Sequence, residues 1–199
     1  MNLSQRAQTY LSDNLTLEDA LPTQMPVYVK SATYLFGVSA LSGLAMLVIT
    51  GLIMVFVGPA WYHLTRVGRF FNSLHFWSVQ VFFLALVLHF ITKFFIAGWR
   101  DKRWGTWTLG LISLGVGVFT GLTGFLMQTN WDSQWISVQA KDAMNALGIG
   151  SFFNTMNFTQ VFGLHIFFLP VVLVLFVAFH LFFVRREGPV KPIQRGGTR

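Results

Sequence analysis

Four histidines of this 199-residue sequence lie inside long apolar runs, where ionisable side chains are costly and usually functional. His75 and His89 are 14 positions apart in one run, and His165 and His180 are one position farther apart in another. At about 100° per residue, 14 steps end within about 40° of the starting direction, and one further step ends within about 60°. Each pair therefore faces one side of its helix, with one histidine near each end.

Two such helices that run in the same direction would bring their histidines together at two depths. His75 would then face His165, and His89 would face His180. Neutral imidazole is an axial ligand of haem iron, and two per iron leave no open position for oxygen or substrate. The pattern predicts two haems that carry electrons, stacked along the membrane normal with about 20 Å between the irons. A single histidine in a span is usually a hydrogen-bonded packing residue, but four at matched depths favour ligation.

The glycines of two other apolar runs repeat at a similar interval. Gly37 and Gly51 are 14 positions apart, and so are Gly110 and Gly124. A flat macrocycle held between the histidine helices must approach the backbones of the neighbouring helices, and glycine leaves room for that approach. We predict that these four glycines flank the two haems.

The elements that must position these residues are four apolar runs, which cover residues 33–57, 74–98, 106–128 and 160–184. Each run exceeds the length of about 20 residues that a helix needs to cross a bilayer. Of all residues, 54% are hydrophobic and only 11% are charged, which excludes a disordered chain and disfavours a soluble enzyme. We predict an all-α fold, a transmembrane four-helix bundle that encloses two stacked haems.

Basic residues are concentrated on one side of the predicted membrane. The positive-inside rule places that side in the cytoplasm. Both termini then lie on the cytoplasmic side of a bacterial or archaeal membrane, or of a thylakoid, and the net charge of +7 reflects topology rather than nucleic-acid binding. The ten basic residues on that side are Arg6, Lys30, Arg100, Lys102, Arg103, Arg185, Arg186, Lys191, Arg195 and Arg199, and the three on the other side are Arg66, Arg69 and Lys141.

The ends of the chain flank the bundle. Residues 1–32 are predicted to form an N-terminal interfacial segment, with a short helix that ends near Pro22 and Pro26. Residues 33–188 form the bundle, and residues 189–199 form a basic cytoplasmic tail.

Two connections lie on the opposite side of the membrane. The longer one, residues 129–159, is mixed in polarity and predicts one or two amphipathic helices at the interface, broken by Gly148 and Gly150. The shorter one contains the fifth histidine, His63, which we interpret as an interfacial residue rather than a ligand.

The motifs resemble cytochrome b of the quinol–cytochrome c and plastocyanin reductases, and in particular its short, split form, cytochrome b6, which ends after four spans. The resemblance covers residues 36–188, most of the chain. The matching motifs are Phe36-Gly37, Thr50-Gly51, Leu74-His75, Leu88-His89, Gly98-Trp99-Arg100, Thr106-Trp107-Thr108, Thr123-Gly124-Phe125, Leu164-His165, Leu169-Pro170, His180 and the run from Phe183 to Gly188.

The resemblance implies two non-covalent b haems with different roles. His75 and His165 would hold the low-potential haem near an outer quinol-oxidising site. His89 and His180 would hold the high-potential haem near an inner quinone-reducing site. The implied activity is transfer of electrons between these two sites across the bilayer, as a subunit of a quinol oxidoreductase complex.

Two basic residues and three departures from the family pattern bear on the sites. Arg185 is expected to meet a haem propionate or a quinone at the inner end, with contact to lipid phosphates as the alternative. Lys93 is expected to serve a propionate, with extension of its ammonium group to the membrane surface as the alternative. The family's arginine three residues before the first ligand is Asn72 here, and its proline motif after the third span is absent from residues 128–132. The cysteine that binds an additional haem in the split form is replaced by Gly43, so no covalent haem is expected.

The resemblance also implies partners. These are a Rieske iron–sulfur protein, a separate C-terminal-type cytochrome b subunit, a c-type cytochrome or similar acceptor, membrane lipid and, through dimerisation, a second copy; nucleic acid is not among them. The departures at the outer site favour one alternative, a haem-b wire that links the quinone pool to a different redox module without outer quinol oxidation. Two others are a di-haem subunit of the formate dehydrogenase or nitrate reductase type and a haem-free transporter or assembly protein.

Overall fold

The computed structural model describes residues 3–14, 32–128 and 130–191, and every regular element in these ranges is a helix. A π-helical turn, Leu164–Phe168, separates the last two α-helices. The α-helices are α1 (Leu3–Asn14), α2 (Ala32–Val57), α3 (Pro59–Leu64), α4 (Arg66–Phe95), α5 (Trp104–Leu126), α6 (Trp131–Ala146), α7 (Phe158–Gly163) and α8 (Leu169–Glu187).

Four segments are long and apolar enough to cross a membrane. They are Thr33–Val57, Arg66–Phe95, Trp104–Leu126 and Phe158–Glu187. The prediction of an all-α fold with four spans is confirmed. The second and fourth segments are 30 residues each, longer than predicted, because hydropathy marks only the part of a helix that lies in the apolar layer.

The start of α4 shows how local capping extends a span. The side chain of Thr65 accepts a hydrogen bond from the backbone N–H of Gly68 at 3.0 Å, as an N-cap residue does. The helix therefore begins at Arg66, two turns before the predicted start of the span at Leu74. His63 lies in the short helix α3 rather than in an irregular loop. The predicted N-terminal helix is present as α1, but its expected end near the two prolines lies outside the described residues.

The bundle consists of two helix pairs. Helix α2 packs along α4, and α5 packs along α8. The two pairs meet at mid height through a small buried cluster that contains residues of α2, α4 and α8. The members of this mid-height cluster are Ala40, Leu44, Phe82, Ala85 and Leu173.

The π-helical turn accounts for the unequal histidine spacings. The backbone N–H of Leu169 bonds to the carbonyl of Leu164, five residues earlier, so the turn holds one residue more than an α-helical turn. Pro170 follows at once and has no N–H to donate to a preceding carbonyl. The turn absorbs the additional residue between His165 and His180, so both rings lie on the same side of the helix, as His75 and His89 do on α4 with the 14-residue spacing.

One amphipathic helix, α6, occupies the first half of the long connection. Its N-cap Asn130 accepts a hydrogen bond from the backbone N–H of Ser133 at 2.8 Å. The hydroxyl of Thr155 donates to the carbonyl of Ser137 at 2.7 Å and ties the second half of the connection to the helix. Gly148, predicted to break the helix, follows the end of α6 with a φ of 75°.

Candidate functional site

His75 and His165 lie opposite each other between the two helix pairs. Their ring centroids are 6.3 Å apart, and the ring planes are inclined at 85°. This separation is close to what two imidazoles need when each binds one side of the same metal ion through bonds of about 2 Å. Helix α4 carries the first ring, and the π-helical turn carries the second.

The environment of His75 fixes which ring nitrogen carries the proton. Its Nδ1 lies 2.8 Å from the hydroxyl oxygen of Thr50 on α2. The single hydroxyl proton of Thr50 is already directed at the carbonyl of Met46, at 2.7 Å. The hydroxyl oxygen must therefore accept a hydrogen bond from Nδ1–H. Nε2 of His75 is left with a free lone pair, which is the form that binds a metal.

His165 and His180 have the same tautomer, because the Nδ1 of each lies against a backbone carbonyl. Nδ1 of His165 lies 3.0 Å from the carbonyl oxygen of Thr120 and 3.3 Å from the hydroxyl of Thr123. Nδ1 of His180 lies 2.9 Å from the carbonyl oxygen of Thr106. A carbonyl oxygen only accepts, so each Nδ1 carries the proton and each Nε2 is available as a ligand.

His89 differs from the other three histidines. Its Nδ1 is buried and has no hydrogen-bond partner within the described part of the chain. A buried polar atom without a partner is unusual, and in a native structure it commonly marks a functional position or an ion that completes it.

Each of the four regularly spaced glycines faces one histidine ring on the neighbouring helix. A Cβ built on Gly37 would lie 3.0 Å from Cε1 of His89, and one on Gly51 would lie 3.4 Å from Cε1 of His75. The same construction on Gly110 and Gly124 comes within 3.1 Å and 2.5 Å of Cε1 of His180 and His165. The glycines thus make room for the imidazoles themselves, a closer approach than the one predicted for a macrocycle.

A cavity of about 270 Å³ lies at the end of the bundle that contains His89 and His180. Both histidines line it, together with apolar side chains from all four spans. Two cationic residues, Lys93 and Arg103, lie at its polar end, so the cavity has an apolar interior and a positively charged margin.

Lys93 is placed to meet an anionic group. Its Nζ is buried, has no hydrogen-bond partner among the described residues and lies 3.5 Å from the centroid of the Tyr34 ring. Arg185, the other predicted basic residue, is exposed on the last turn of α8 and does not line this cavity. Arg103, which lines it, was not among the predicted site residues, because a basic residue in a loop between spans indicates topology before it indicates a site.

The chain after α8 crosses the margin of the cavity and is held there by side chains. Arg103 donates from Nη1 to the carbonyl of Gly188 at 2.6 Å and from Nη2 to that of Glu187 at 2.5 Å. The hydroxyl of Tyr34 donates to the carbonyl of Val190 at 3.1 Å. We call residues 187–191 the strap, since they connect the ends of α2, α5 and α8.

The donor set fits haem better than a bare metal ion. No group of three or more histidine, aspartate or glutamate side chains that could hold a metal occurs among the described residues. Histidines arranged in opposed pairs supply two ligands, so a metal between them takes its remaining ligands from a planar group, as the iron of a bis-histidine haem does. The glycines leave room for all four rings, and the Nδ1–H tautomers of His75, His165 and His180 fit this role.

Comparisons with known proteins agree with the geometry. Residues 80–198 match the family model described as Cytochrome b(N-terminal)/b6/petB. The chain is 25% identical to cytochrome b6 of Cyanidium caldarium over 94% of its own length and 96% of that protein. It is 26% identical to cytochrome b6 of Desmonostoc sp. (strain PCC 7906), over 63% of its own length and 64% of that protein.

A solved structure shows the same fold. A chain of the structure titled "Hyperthermophilic respiratory Complex III" superimposes on 99% of this chain with a TM-score of 0.72 and 18% sequence identity. This chain spans 57% of that longer one.

Proposed function

The chain belongs to the family of cytochrome b6 and the N-terminal part of cytochrome b, and on this basis we propose that it carries electrons across a membrane through two b haems. That it is a membrane-embedded cytochrome b electron-transfer subunit is the part that family membership and the four spans support directly. The number of haems, their ligands and the quinone sites are our proposal.

The observation that carries the proposal is the opposed pair His75 and His165, with ring centroids 6.3 Å apart. We assign one haem to this pair and the second to His89 and His180. When bound, the haem iron supplies reversible one-electron chemistry. The protein would bind the iron through Nε2 of each histidine, with Nδ1 of His75, His165 and His180 held protonated by an acceptor and water excluded by apolar side chains.

The residues near His89 and His180 support binding of anionic groups at that end. Nζ of Lys93 faces the cavity without a hydrogen-bond partner among the described residues. We propose that Lys93 meets a haem propionate, because a buried ammonium is stabilised by a paired carboxylate. We further propose that a quinone is reduced at this end, on the cytoplasmic side. Arg185 remains a candidate for the quinone rather than for the haem, because its side chain is exposed.

The complex that we propose oxidises quinol at the other end of the bundle. It would contain a Rieske iron–sulfur protein, a separate C-terminal-type cytochrome b subunit, a c-type or similar acceptor and a second copy of this chain. The alternative is a haem wire that passes electrons from the quinone pool to another redox module. Asn72 and the proline-free residues 128–132 favour it, because both depart from the family pattern at the outer site.

Haem stoichiometry tests the central proposal. The purified protein should contain two b haems per chain in a pyridine haemochrome assay. His75→Leu and His165→Leu should each lower the number to one, and the double variant should also keep one, since both histidines hold the same iron. His63→Leu is the matched control and should keep both. One haem or none in the unaltered protein would contradict the proposal.

Inhibition of turnover separates the two candidate functions. Quinol analogues that block an outer site should stop electron flow in a complex of the Rieske type. A wire without outer quinol oxidation should be insensitive to them while it still reduces both haems from the quinone pool.

A further inference from the structure

The two ends of the bundle differ in what contacts the histidine Nδ1 atoms. At the His75 end, each ligand meets a threonine hydroxyl: Thr50 lies 2.8 Å from Nδ1 of His75, and Thr123 lies 3.3 Å from Nδ1 of His165. Each threonine directly precedes one of the glycines that face these rings, Gly51 and Gly124 in turn.

The positions that precede the glycines at the other end are occupied by apolar residues, Phe36 and Leu109. His180 therefore meets only a backbone carbonyl, that of Thr106, and Nδ1 of His89 has no partner within the described ranges. Both ligands at one end have a hydroxyl beside Nδ1, although for His165 the hydroxyl of Thr123 at 3.3 Å is a second acceptor beside the closer carbonyl of Thr120 at 3.0 Å. Among the described residues, no hydroxyl lies beside Nδ1 of either ligand at the other end.

The two threonines are oriented as acceptors. Thr50 and Thr123 are each only 1% exposed, so no water competes for their hydroxyls. Each hydroxyl lies close to carbonyls of its own helix, at 2.7 Å from Met46 for Thr50 and at 2.9 Å from Thr120 for Thr123. These carbonyls take the hydroxyl protons, and the oxygen lone pairs are directed at the histidines.

A hydrogen bond accepted from Nδ1–H makes the imidazole a stronger electron donor at Nε2. A stronger donor stabilises the oxidised iron more than the reduced iron, because the oxidised iron carries the higher charge. A hydrogen bond to the far side of the ligand is therefore a means of lowering the reduction potential of the metal.

We propose that Thr50 and Thr123 are positioning residues that lower the reduction potential of the haem held by His75 and His165 relative to the haem at the other end. This inference rests on the proposed function. The two hydroxyls act through the ligands and do not touch the iron. They would set the direction of electron flow along the bundle, from the end with hydroxyl partners to the end without them.

A redox titration of the purified complex tests the proposal. In Thr50→Val and Thr123→Val the volume is kept and the acceptor is lost. We expect each variant to raise the midpoint potential of the haem held by His75 and His165 by up to about 59 mV. For one electron, this shift is a tenfold change in the ratio of oxidised to reduced haem at a given potential. The other haem should not change. Thr50→Ser and Thr123→Ser keep a hydroxyl and should restore the original potential.

Ser78→Ala is the matched control, since it removes a hydroxyl from α4 that bonds to the carbonyl of Leu74 at 2.7 Å. Single-haem variants such as His89→Leu identify which titration step belongs to which haem. If the valine variants do not assemble, redox titration of Thr50→Ala and Thr123→Ala, which also lose the hydroxyl, provides the comparison, with the serine variants as controls.

Two results would overturn the inference: unchanged potentials in the valine or alanine variants, or equal shifts in both haems. Either result with two b haems present would leave the proposed function standing. Absence of the second haem from the unaltered protein would instead remove the proposed function itself.

Discussion

Gly124 lies directly against the imidazole of His165, and a Cβ built on it would lie 2.5 Å from Cε1 of that ring. Real Cβ atoms do not approach a neighbour this closely, so a methyl group at position 124 would displace either the ring or helix α5. A Cβ built on each of the other three glycines of the set would lie 3.0 to 3.4 Å from Cε1 of the facing histidine. Histidine position is therefore set partly by the absence of a side chain on the neighbouring helix.

Alanine substitutions at these glycines should lower haem content in the order of the distances. Gly124→Ala should lose the haem of His75 and His165, Gly37→Ala and Gly110→Ala should weaken the other haem, and Gly51→Ala should be tolerated best. The measurement is the haem-to-protein ratio of the purified variants, with stability followed by thermal denaturation.

Gly115 provides the control for this series. It lies on the same helix as Gly124, and a Cβ there would meet nothing within 4 Å. Gly115→Ala should keep both haems and gain a little stability, since alanine favours a helix by about 1 kcal/mol over glycine. Equal haem loss in Gly115→Ala and Gly124→Ala would show that helix packing, and not contact with the ring, is responsible.

The π-helical turn predicts that one residue can be removed from the fourth span without loss of haem. Deletion of Phe167, which is 69% exposed, gives His165 and His180 the same spacing as His75 and His89 and allows a regular α-helix. We expect the variant to retain two haems in its absorption spectrum, because an α-helix with that spacing keeps both rings on one face, as in α4.

Deletion of Val81 from α4 is the corresponding control. That residue is 57% exposed and lies between His75 and His89 in a regular α-helix, which contains no π-helical turn. The deletion turns one ring by about 100° relative to the other and should remove a haem. If both deletions cost a haem, the explanation of the unequal spacings is wrong.

Lys93 should raise the reduction potential of the haem at the His89 end. A nearby positive charge stabilises the added electron, and the low dielectric of the cavity strengthens the effect. Lys93→Met should therefore lower that potential in a redox titration, whereas Lys93→Arg should keep it near its original value. Lys102→Met, at an exposed lysine in the following loop, is the control. A potential that does not respond to loss of the Lys93 charge would contradict the placement of this side chain beside the haem.

Arg103 should hold the strap on the bundle. The residue is 8% exposed and reaches three consecutive carbonyls, those of Glu187, Gly188 and Pro189. Arg103→Leu should cost roughly 3 kcal/mol of stability, because hydrogen bonds to charged groups contribute about 1.5–3 kcal/mol each and the carbonyls lose a shared donor. Limited proteolysis should cut the strap faster in this variant. The neighbouring substitution Lys102→Leu should leave the cleavage rate unchanged, and equal rates in both would refute the role of Arg103.

The four spans and the matched depths of the histidines follow from the sequence because the membrane imposes a length and a helix imposes a period. The regular glycine interval marks the positions that face the rings, and the structure shows that these glycines approach the imidazoles. Their approach to a macrocycle stays a prediction. The opposition of His75 and His165 required only that their helices run in the same direction.

Other features of the site depend on contacts that no local pattern encodes. The π-helical turn arises from one additional residue beside Pro170, and spacing alone gave only an offset of about 60° within one face of the helix. The role of Arg103 depends on a distant part of the chain, the strap that follows the last helix. The threonine hydroxyls near Nδ1 become acceptors only because the carbonyls of their own helices take up their protons.

The small mid-height cluster has a consequence for biogenesis. Helices α2 and α4 form one pair, and α5 and α8 form another. The mid-height cluster takes four of its five residues from the first pair and only Leu173 from the second, so little buried apolar surface joins the pairs there within the described part of the chain. Each pair can therefore leave the insertion machinery as a separate unit. On the proposed function, closure of one pair on the other depends on the haems that both would hold, so the free energy of haem binding would also contribute to the free energy of folding. A cell starved of iron porphyrin should accumulate open, protease-sensitive chains rather than closed empty ones.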